Sequence, residues 1–217
     1  MARLLKIKKI NDVGSLPGSQ SFARYEFKYL LDSLQAAQLE AELNHFMVSD
    51  HHARREMDNQ YFVRSLYFEN DASDHFFEKI DGIKTRRKFR LRTYSDGADF
   101  SQPVYLEEKG RHNERTYKQR VEINRLHMNL FLAPQNSTEL LSKYPDFGLI
   151  QSFIFDCLRR RLSPKVLVDY GRRAFTSQFD VNFRVTFDKA LRSSATNHLF
   201  PVQHDNFRQC IPGWTIM

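Results

Sequence analysis

The sequence predicts an α+β domain in which an antiparallel sheet carries one helical insert. Seven segments alternate between two kinds of residue with the period of two that is typical of strands. Helical periodicity is instead concentrated between residues 126 and 160. The chain has 217 residues and no internal repeat, so it is long enough for one sizeable core. These observations favour a single domain over a set of repeated units.

Each element is marked by local signals. The predicted strands are residues 22–31, 61–68, 85–94, 103–111, 115–123, 165–175 and 182–187. Helices are predicted at 34–47, where Asp32 and Ser33 can cap the first turn, and at 73–80, before the Asp81–Gly82 turn. Pro134 and Pro145 break the helical insert into shorter pieces. Residues 1–20 are expected to be a flexible leader to a domain at 21–217, and the tail from residue 191 has no clear period.

Composition narrows the function classes. The formal net charge of +7 predicts an anionic partner: a nucleic acid, a membrane surface or a phosphorylated small molecule. Only two cysteines are present, and neither has metal-ligand spacing, which argues against a disulfide framework and a zinc site. No apolar run reaches the roughly 18 residues of a membrane span, so no membrane segment is expected. A reducing, cytoplasmic location is therefore predicted.

The strands split into an apolar face and a charged face. Since residues two apart share a face, the apolar faces carry Tyr25, Phe27 and Tyr29; Phe89 and Leu91; Val104 and Leu106; Val121 and Ile123; and Val185 and Phe187. The charged faces carry Arg24, Glu26 and Lys28; Arg86, Lys88, Arg90 and Arg92; Tyr105, Glu107, Lys109 and Arg111; Lys118, Arg120 and Glu122; Tyr170 and Arg172; and Arg184, Thr186 and Asp188. Ser65 and Tyr67 share a face and suit a wet lining or a cross-strand hydrogen bond equally well.

Two interpretations of the charged faces are open. A solvated outer surface is the ordinary one, because antiparallel sheets commonly have one wet side. However, nearly every strand adds Lys or Arg with few carboxylates, and like charges opposite one another destabilise a sheet. Such a face is easier to understand if an anion neutralises it. The aromatic residues lie mostly on the opposite face, so a stacking platform for nucleic acid is not expected.

Phosphate suits these residue types. Arg offers a planar fork for bidentate contact with phosphate oxygens, and Lys offers a compact positive charge. The carboxylates Glu26, Glu107 and Glu122 could hold Mg²⁺ or Mn²⁺, which prefer oxygen ligands. Phosphoryl transfer mainly requires positioning and charge stabilisation, and no convincing Ser-His-Asp or Cys-His arrangement competes with this interpretation.

Six segments, in order, resemble a known family: RYEFKY (24–29), SLYF (65–68), KFRLR (88–92), YLEEK (105–109), YGRRAF (170–175) and FRVTFD (183–188). They resemble the polyphosphate polymerase (VTC) domain family of the triphosphate tunnel metalloenzymes. The resemblance implies an antiparallel β-barrel tunnel surrounded by helices. It also implies an enzyme that transfers the γ-phosphoryl group of ATP to a polyphosphate chain with a divalent metal, Mn²⁺ or Mg²⁺.

The resemblance also assigns residues. It implies that Lys28, Arg90, Arg92, Lys109, Lys118, Arg172 and Arg184 line the tunnel and bind phosphate, with a hydroxyl from Tyr170. Lys88, Arg120 and Arg24 join them on the charged faces. Glu26 and Glu107 fall where related tunnel enzymes keep acidic residues, either as metal ligands or as groups that orient a Lys or Arg.

One departure from the family pattern affects the expected activity. The family usually adds a closing strand with a Glu-x-Lys motif, and here the chain is expected to stop at the entry to that strand, at Thr215–Met217. Three alternatives therefore stay open: a polyphosphate polymerase, a triphosphatase that uses water as the acceptor, and a non-catalytic module that binds polyphosphate or inositol phosphates. The oligomeric state is not predicted.

Overall fold

An antiparallel sheet of eleven strands organises the part of the chain that the structure describes. The structure is a computed structural model that describes residues 22–50, 59–96, 99, 101–133, 136–180, 182–201 and 206–217. The strands are β1 (Phe22–Arg24), β2 (Leu30–Asp32), β3 (Met47–Ser49), β4 (Gln60–Glu69), β5 (Thr85–Thr93), β6 (Val104–His112), β7 (Arg115–Ile123), β8 (Ser163–Ser177), β9 (Arg184–Ala195), β10 (Arg208–Gln209) and β11 (Trp214–Ile216).

Helices occupy the connections between the strands. They are α1 (Ser33–Leu43), α2 (Asp74–Ile80), α3 (Met128–Leu132), α4 (Ser137–Lys143) and α5 (Gly148–Arg160), with one 3₁₀ turn at Arg125–His127. Asp32 caps α1 through the backbone N–H of Gln35, whose side chain accepts a hydrogen bond from the Asp32 N–H in return. None of the helices in the described ranges combines the length and the apolar character that a membrane crossing needs. The predicted α+β class is confirmed.

Chain connectivity forces the sheet to curl. Its strand order is β1-β7-β6-β5-β4-β8-β9-β11-β2, so β1 and β2 lie on opposite edges although only residues 25–29 separate them. A flat sheet of nine strands would place its edges about 38 Å apart, at roughly 4.8 Å per spacing. The connecting segment can span at most about 22 Å. The two edges must therefore approach one another, although the backbone hydrogen-bond ladder does not continue from β1 to β2.

The two faces of the curled sheet have opposite chemistry. Leu66, Leu91, Leu106 and Val121 lie opposite one another on β4 to β7 and pack in the main core beneath α5. Phe153 of α5 makes edge contacts in this core with Phe68 and Phe89, at ring-centroid distances of 4.9 and 5.4 Å. We call the side of the sheet that carries this core the outer face and the opposite, charged side the inner face.

Most predicted elements are confirmed, but two extended segments need correction. The strand predicted at 22–31 is split, because residues 25–29 cross from one sheet edge to the other and have no ladder partner except at Tyr29. As a result Tyr25, Phe27 and Tyr29, predicted on a buried apolar face, are each more than half exposed. The tail without a clear period contains the end of β9 and also β10 and β11, because pairing with distant strands stabilises segments of only two or three residues.

Helix α1 is also shorter than predicted. It ends at Leu43, and Met47–Ser49 instead form β3, which pairs with β8. Met47 is buried there with Phe175 and Phe187, so packing against the sheet outweighs the helical pattern of the sequence. The expected leader at residues 1–20 lies outside the described residues.

Candidate functional site: a basic inner face

Strand register aligns the charged residues of the inner face into rows. Lys88, Lys109 and Lys118 lie directly opposite one another on β5, β6 and β7 and are called the lysine row. Two further rows run parallel to it: Arg90, Glu107 and Arg120, and then Arg92, Tyr105 and Glu122. The period-two pattern of the sequence predicted which side chains share the face, and the hairpin pairings place them side by side.

Contacts that pass over an intervening strand show that this face is concave. Arg92 of β5 donates a hydrogen bond to the Tyr170 hydroxyl of β8 over a distance of 2.9 Å, although β4 lies between these strands. Similarly, Lys109 of β6 reaches past β7 to Glu26, with Nζ–O distances of 2.8 and 2.9 Å. Side chains can converge in this way only where the sheet curves toward them. The inner face is therefore the lining of a tunnel-like groove.

All three lysines of the row lie in surroundings that disfavour their charged form. Burial lowers the pKa of Lys88 and Lys109, and it lowers the pKa of Lys118 to about 8, where Glu107 opposes the shift and neighbouring arginines add to it. Lys109 keeps a partner in Glu26, and Lys118 lies 3.5 Å from Glu107. An anion placed over the row would favour the charged form of all three lysines.

Glu107 is the centre of a group that we call the Glu107 cluster, made of Glu107, Arg90, Arg92 and Lys118. Arg90 donates from Nε and Nη2 to one carboxylate oxygen at 2.9 and 2.6 Å, and Arg92 lies 3.8 Å from the same oxygen. The Glu107 side chain is fully buried. Burial alone would raise the pKa of its carboxyl group, but the three cations outweigh burial and hold the pKa well below its usual range. Glu107 is therefore ionised under all physiological conditions.

Hydroxyl groups hold the two arginines from the other side. Arg90 donates to the Tyr67 hydroxyl at 2.8 Å, and Arg92 donates to Ser65 at 3.0 Å in addition to Tyr170. Burial raises the pKa of the Tyr67 phenol, but the positive charges of Arg90 and Arg92 outweigh it and lower this pKa to about 8. Both guanidinium groups are thus fixed before any ligand binds, as an electrostatic binding site requires.

The remaining predicted arginines of β8 and β9 lie on the other side of the groove, where carboxylates neutralise them. Arg172 makes two hydrogen bonds to Asp188, at 2.6 and 2.7 Å. Burial opposes the charged form of Arg172, but the Tyr170 phenol and the Asp188 carboxylate outweigh burial and raise the pKa of its guanidinium group. Arg184 pairs with Asp50 and donates to the Tyr61 hydroxyl at 3.1 Å. The concave face therefore has a strongly basic wall on β5 to β7 and a nearly balanced wall on β8 and β9.

The first of the six segments, RYEFKY (24–29), lies at the edge of the sheet and not in the middle of the groove. Glu26 contacts the basic wall through Lys109, whereas the Lys28 side chain is 67% exposed and lies 3.8 Å from Glu26. Arg24 is opposite Thr116 in the register of β1 and β7. A phosphate-binding role for Lys28 and Arg24 stays a prediction, as it does for the residues that the groove brings together.

Glu26 and Glu107, the two metal ligands that the resemblance implies, do not fit a protein-held metal site. Both oxygens of Glu26 contact Lys109, and Glu107 is surrounded by three cations that would repel a divalent ion. Their carboxylates belong to separate groups. In the described ranges, no three His, Cys, Asp or Glu side chains come together as metal ligands would.

Some partners in the site could not be anticipated from the sequence. Asp50 follows β3 in a polar stretch without a clear pattern, and its contact with Arg184 spans 134 residues. The position of Tyr61 on the inner face could have been predicted, since Tyr61 lies on the same side of β4 as Ser65 and Tyr67. The partner of each arginine depends on which strands become neighbours, and the sequence pattern does not contain that information.

A curled antiparallel sheet with a basic concave lining defines a tunnel-type domain whose groove has the charge and residue types of an anion-binding site. The family model for the VTC domain matches residues 23–213, and the chain belongs to that family. Among solved structures, the chain is similar to the crystal structure of a "putative adenylate cyclase" from Bacillus halodurans, with 13% identity and a TM-score of 0.45. That similarity covers 92% of this chain and 80% of the other. No curated protein sequence matches the chain significantly.

Proposed function

We propose that this domain binds the triphosphate of ATP and a linear polyphosphate in its groove and transfers the γ-phosphoryl group to the polyphosphate end. The proposed phosphate ligands are Lys88, Arg90, Arg92, Lys109, Lys118 and Arg120 of the basic wall, with Arg172, Arg184 and Tyr170 on the opposite wall. Lys28 and Arg24 would extend the path at the edge of the sheet. Membership in the VTC domain family supports this proposal.

The lysine row is the observation that carries the proposal. Burial disfavours the charged form of all three lysines, and the positive charge of Arg90 adds to this effect at Lys109 and Lys118. An outward, convex face would let the ammonium groups separate into solvent, whereas the concave face holds them partly buried. A phosphate chain has a negative charge on every unit, so it would neutralise the whole row.

Arg90 and Arg92 supply what phosphoryl transfer needs from a protein. The charge of the transferring group spreads over its equatorial oxygens, and fixed cations stabilise that charge without reorganising. The hydroxyl and carboxylate contacts of the two guanidinium groups keep them in place. No covalent intermediate with a side chain is required, which agrees with the residue types of the groove.

Mg²⁺ or Mn²⁺ is proposed to enter as part of the nucleotide substrate. The carboxylates of Glu26 and Glu107 are engaged by lysines and arginines. Phosphate oxygens are good ligands for both ions, so a metal–ATP complex needs no protein cage.

The proposal is tested by incubating the protein with ATP and Mn²⁺ or Mg²⁺ and separating the products by size. ADP together with long phosphate chains is the expected result. ADP with inorganic phosphate alone would indicate a triphosphatase and not a polymerase. Binding of tripolyphosphate without turnover would leave a binding module, and the absence of binding would refute the use of the groove. Competition with duplex DNA at fixed salt tests the expectation that nucleic acid binds more weakly.

A further inference from the structure

Glu107 stands out in the groove because it puts a negative charge where an anion is proposed to bind. Its side chain is fully buried, while Arg90, Arg92 and Lys118 surround it at 2.6 to 3.8 Å. Its carboxylate approaches both arginines through the same oxygen and lies near Lys118 through the other. Each oxygen of the Glu107 carboxylate therefore lies within 4 Å of a cation.

The arrangement has a clear electrostatic consequence. Without Glu107 the three cations would carry a combined charge of +3 in a partly buried place, and with it they carry +2. An uncompensated group of buried cations is costly, so the carboxylate stabilises the empty groove. The same negative charge lowers the positive electrostatic potential of the Glu107 cluster and therefore weakens its attraction for phosphate.

We propose that Glu107 is a positioning residue, an internal counter-charge that orients Arg90 and moderates the affinity of the Glu107 cluster for phosphate, rather than a metal ligand. This inference rests on the proposed function, since it assigns the part that Glu107 plays in phosphate binding. A counter-charge of this kind distinguishes the Glu107 cluster from a site that only binds phosphate tightly. A chain that must advance through the groove requires each phosphate to be released as well as bound.

Two variants test the inference by direct titration with tripolyphosphate, in the presence of a chelator that removes divalent ions. Glu107→Gln keeps a carbonyl oxygen that can accept from Arg90 but removes the negative charge. It is expected to bind tripolyphosphate roughly 10-fold more tightly than the wild type, because one repulsive charge near the ligand is lost. The titration is made at pH 6.5, well below the pKa of about 8 of Lys118, so that this lysine stays charged in the wild type.

The compensating variant Glu107→Gln/Lys118→Met restores the charge of +2 with a side chain of similar length to lysine. Its affinity is expected to return to within about 3-fold of the wild-type value. A merely structural role for Glu107 would not be rescued by removing a second side chain of the cluster. A circular-dichroism melting curve of each variant checks that the fold is retained, and the double variant provides the comparison if the single variant does not fold.

The outcomes separate the inference from the function on which it rests. Equal or weaker binding by Glu107→Gln, with normal binding by the wild type, overturns the inference and leaves the proposed function intact. The same holds if wild-type binding without chelator depends on a metal ion and Glu107→Gln abolishes that dependence, since Glu107 would then be a ligand. If the wild type does not bind tripolyphosphate at all, both the proposed function and the inference fail.

Discussion

Phosphate binding should weaken as the pH rises through 8, because two groups of the groove, Lys118 and Tyr67, change charge there. Lys118 has a pKa lowered to about 8, mainly by burial. Tyr67 has a pKa of about 8, since the neighbouring arginines outweigh the effect of burial. A bound anion favours protonated Lys118 and neutral Tyr67. Affinity is therefore greatest below pH 8, and it falls above it as Lys118 loses its charge and Tyr67 gains one.

The size of the effect follows from these values. At pH 9 a group with a pKa of 8 is protonated in only about one molecule in eleven, which costs about 1.4 kcal/mol, or tenfold, for each group. Together, Lys118 and Tyr67 are expected to lower the affinity for tripolyphosphate by up to about 100-fold between pH 7 and pH 9. Lys118→Met and Tyr67→Phe should each remove about one factor of ten from this dependence.

Isothermal titration calorimetry at constant ionic strength measures the effect. Tripolyphosphate also titrates near neutral pH, so the informative quantity is the difference in slope between the wild type and each variant, in which the ligand's own titration cancels. Repeating the measurement in buffers of different ionisation enthalpy counts the protons taken up on binding. Identical slopes for the wild type and Lys118→Met would refute the assignment of Lys118 to the phosphate path.

Three further predictions concern binding and stability. Arg90→Ala/Arg92→Ala should lower the affinity for tripolyphosphate by about 100-fold or more, since each lost charge-assisted hydrogen bond contributes about 1.5–3 kcal/mol. A fluorescence titration measures this affinity. Asp169→Asn should lower the free energy of unfolding by about 3–5 kcal/mol in urea denaturation, because it leaves the buried Arg64 guanidinium without its carboxylate. Gly110→Ala should lower it by about 1–3 kcal/mol in the same assay, since the new methyl group would lie 1.9 Å from a tyrosine ring.

Matched controls decide whether these effects are specific. Lys143→Ala/Arg159→Ala removes two charges from exposed positions on α4 and α5, which pack on the outer face, and should change phosphate affinity by less than about 3-fold. Binding losses equal to those of the arginine variant would show that only net charge matters. For the stability variants, the affinity of the folded protein for tripolyphosphate should be unchanged, because both positions lie on the outer face.

The sequence predicted the local features of this fold well. Strands β5, β6 and β7 are confirmed with boundaries within a residue or two, because each is long, strongly alternating and joined to the next by a short connection. The same alternation placed Arg90, Glu107 and Lys118 on one face. Local periodicity is sufficient there, since hairpin pairing between consecutive strands converts it directly into a surface.

Features that depend on contacts between distant parts of the chain could not be predicted from the alternation of residue types. The curl of the sheet depends on the 25–29 segment that links its two edges, and β11 depends on pairing with β2 and β9. The buried pair of Arg64 and Asp169 also joins positions that are distant in sequence. Such features arise from tertiary packing, which overrides weak local signals in segments of two or three residues.

Chemical protection of lysines tests the central claim most directly. The protein is treated with an amine-acylating reagent with and without tripolyphosphate, and modification at each lysine is measured by mass spectrometry, with sulfate at equal ionic strength as the control. Tripolyphosphate is expected to protect Lys88, Lys109 and Lys118 and to leave the exposed Lys143 of α4 reactive. Protection spread evenly over inner and exposed lysines, or no protection of the lysine row at all, would contradict a phosphate chain bound along the inner face.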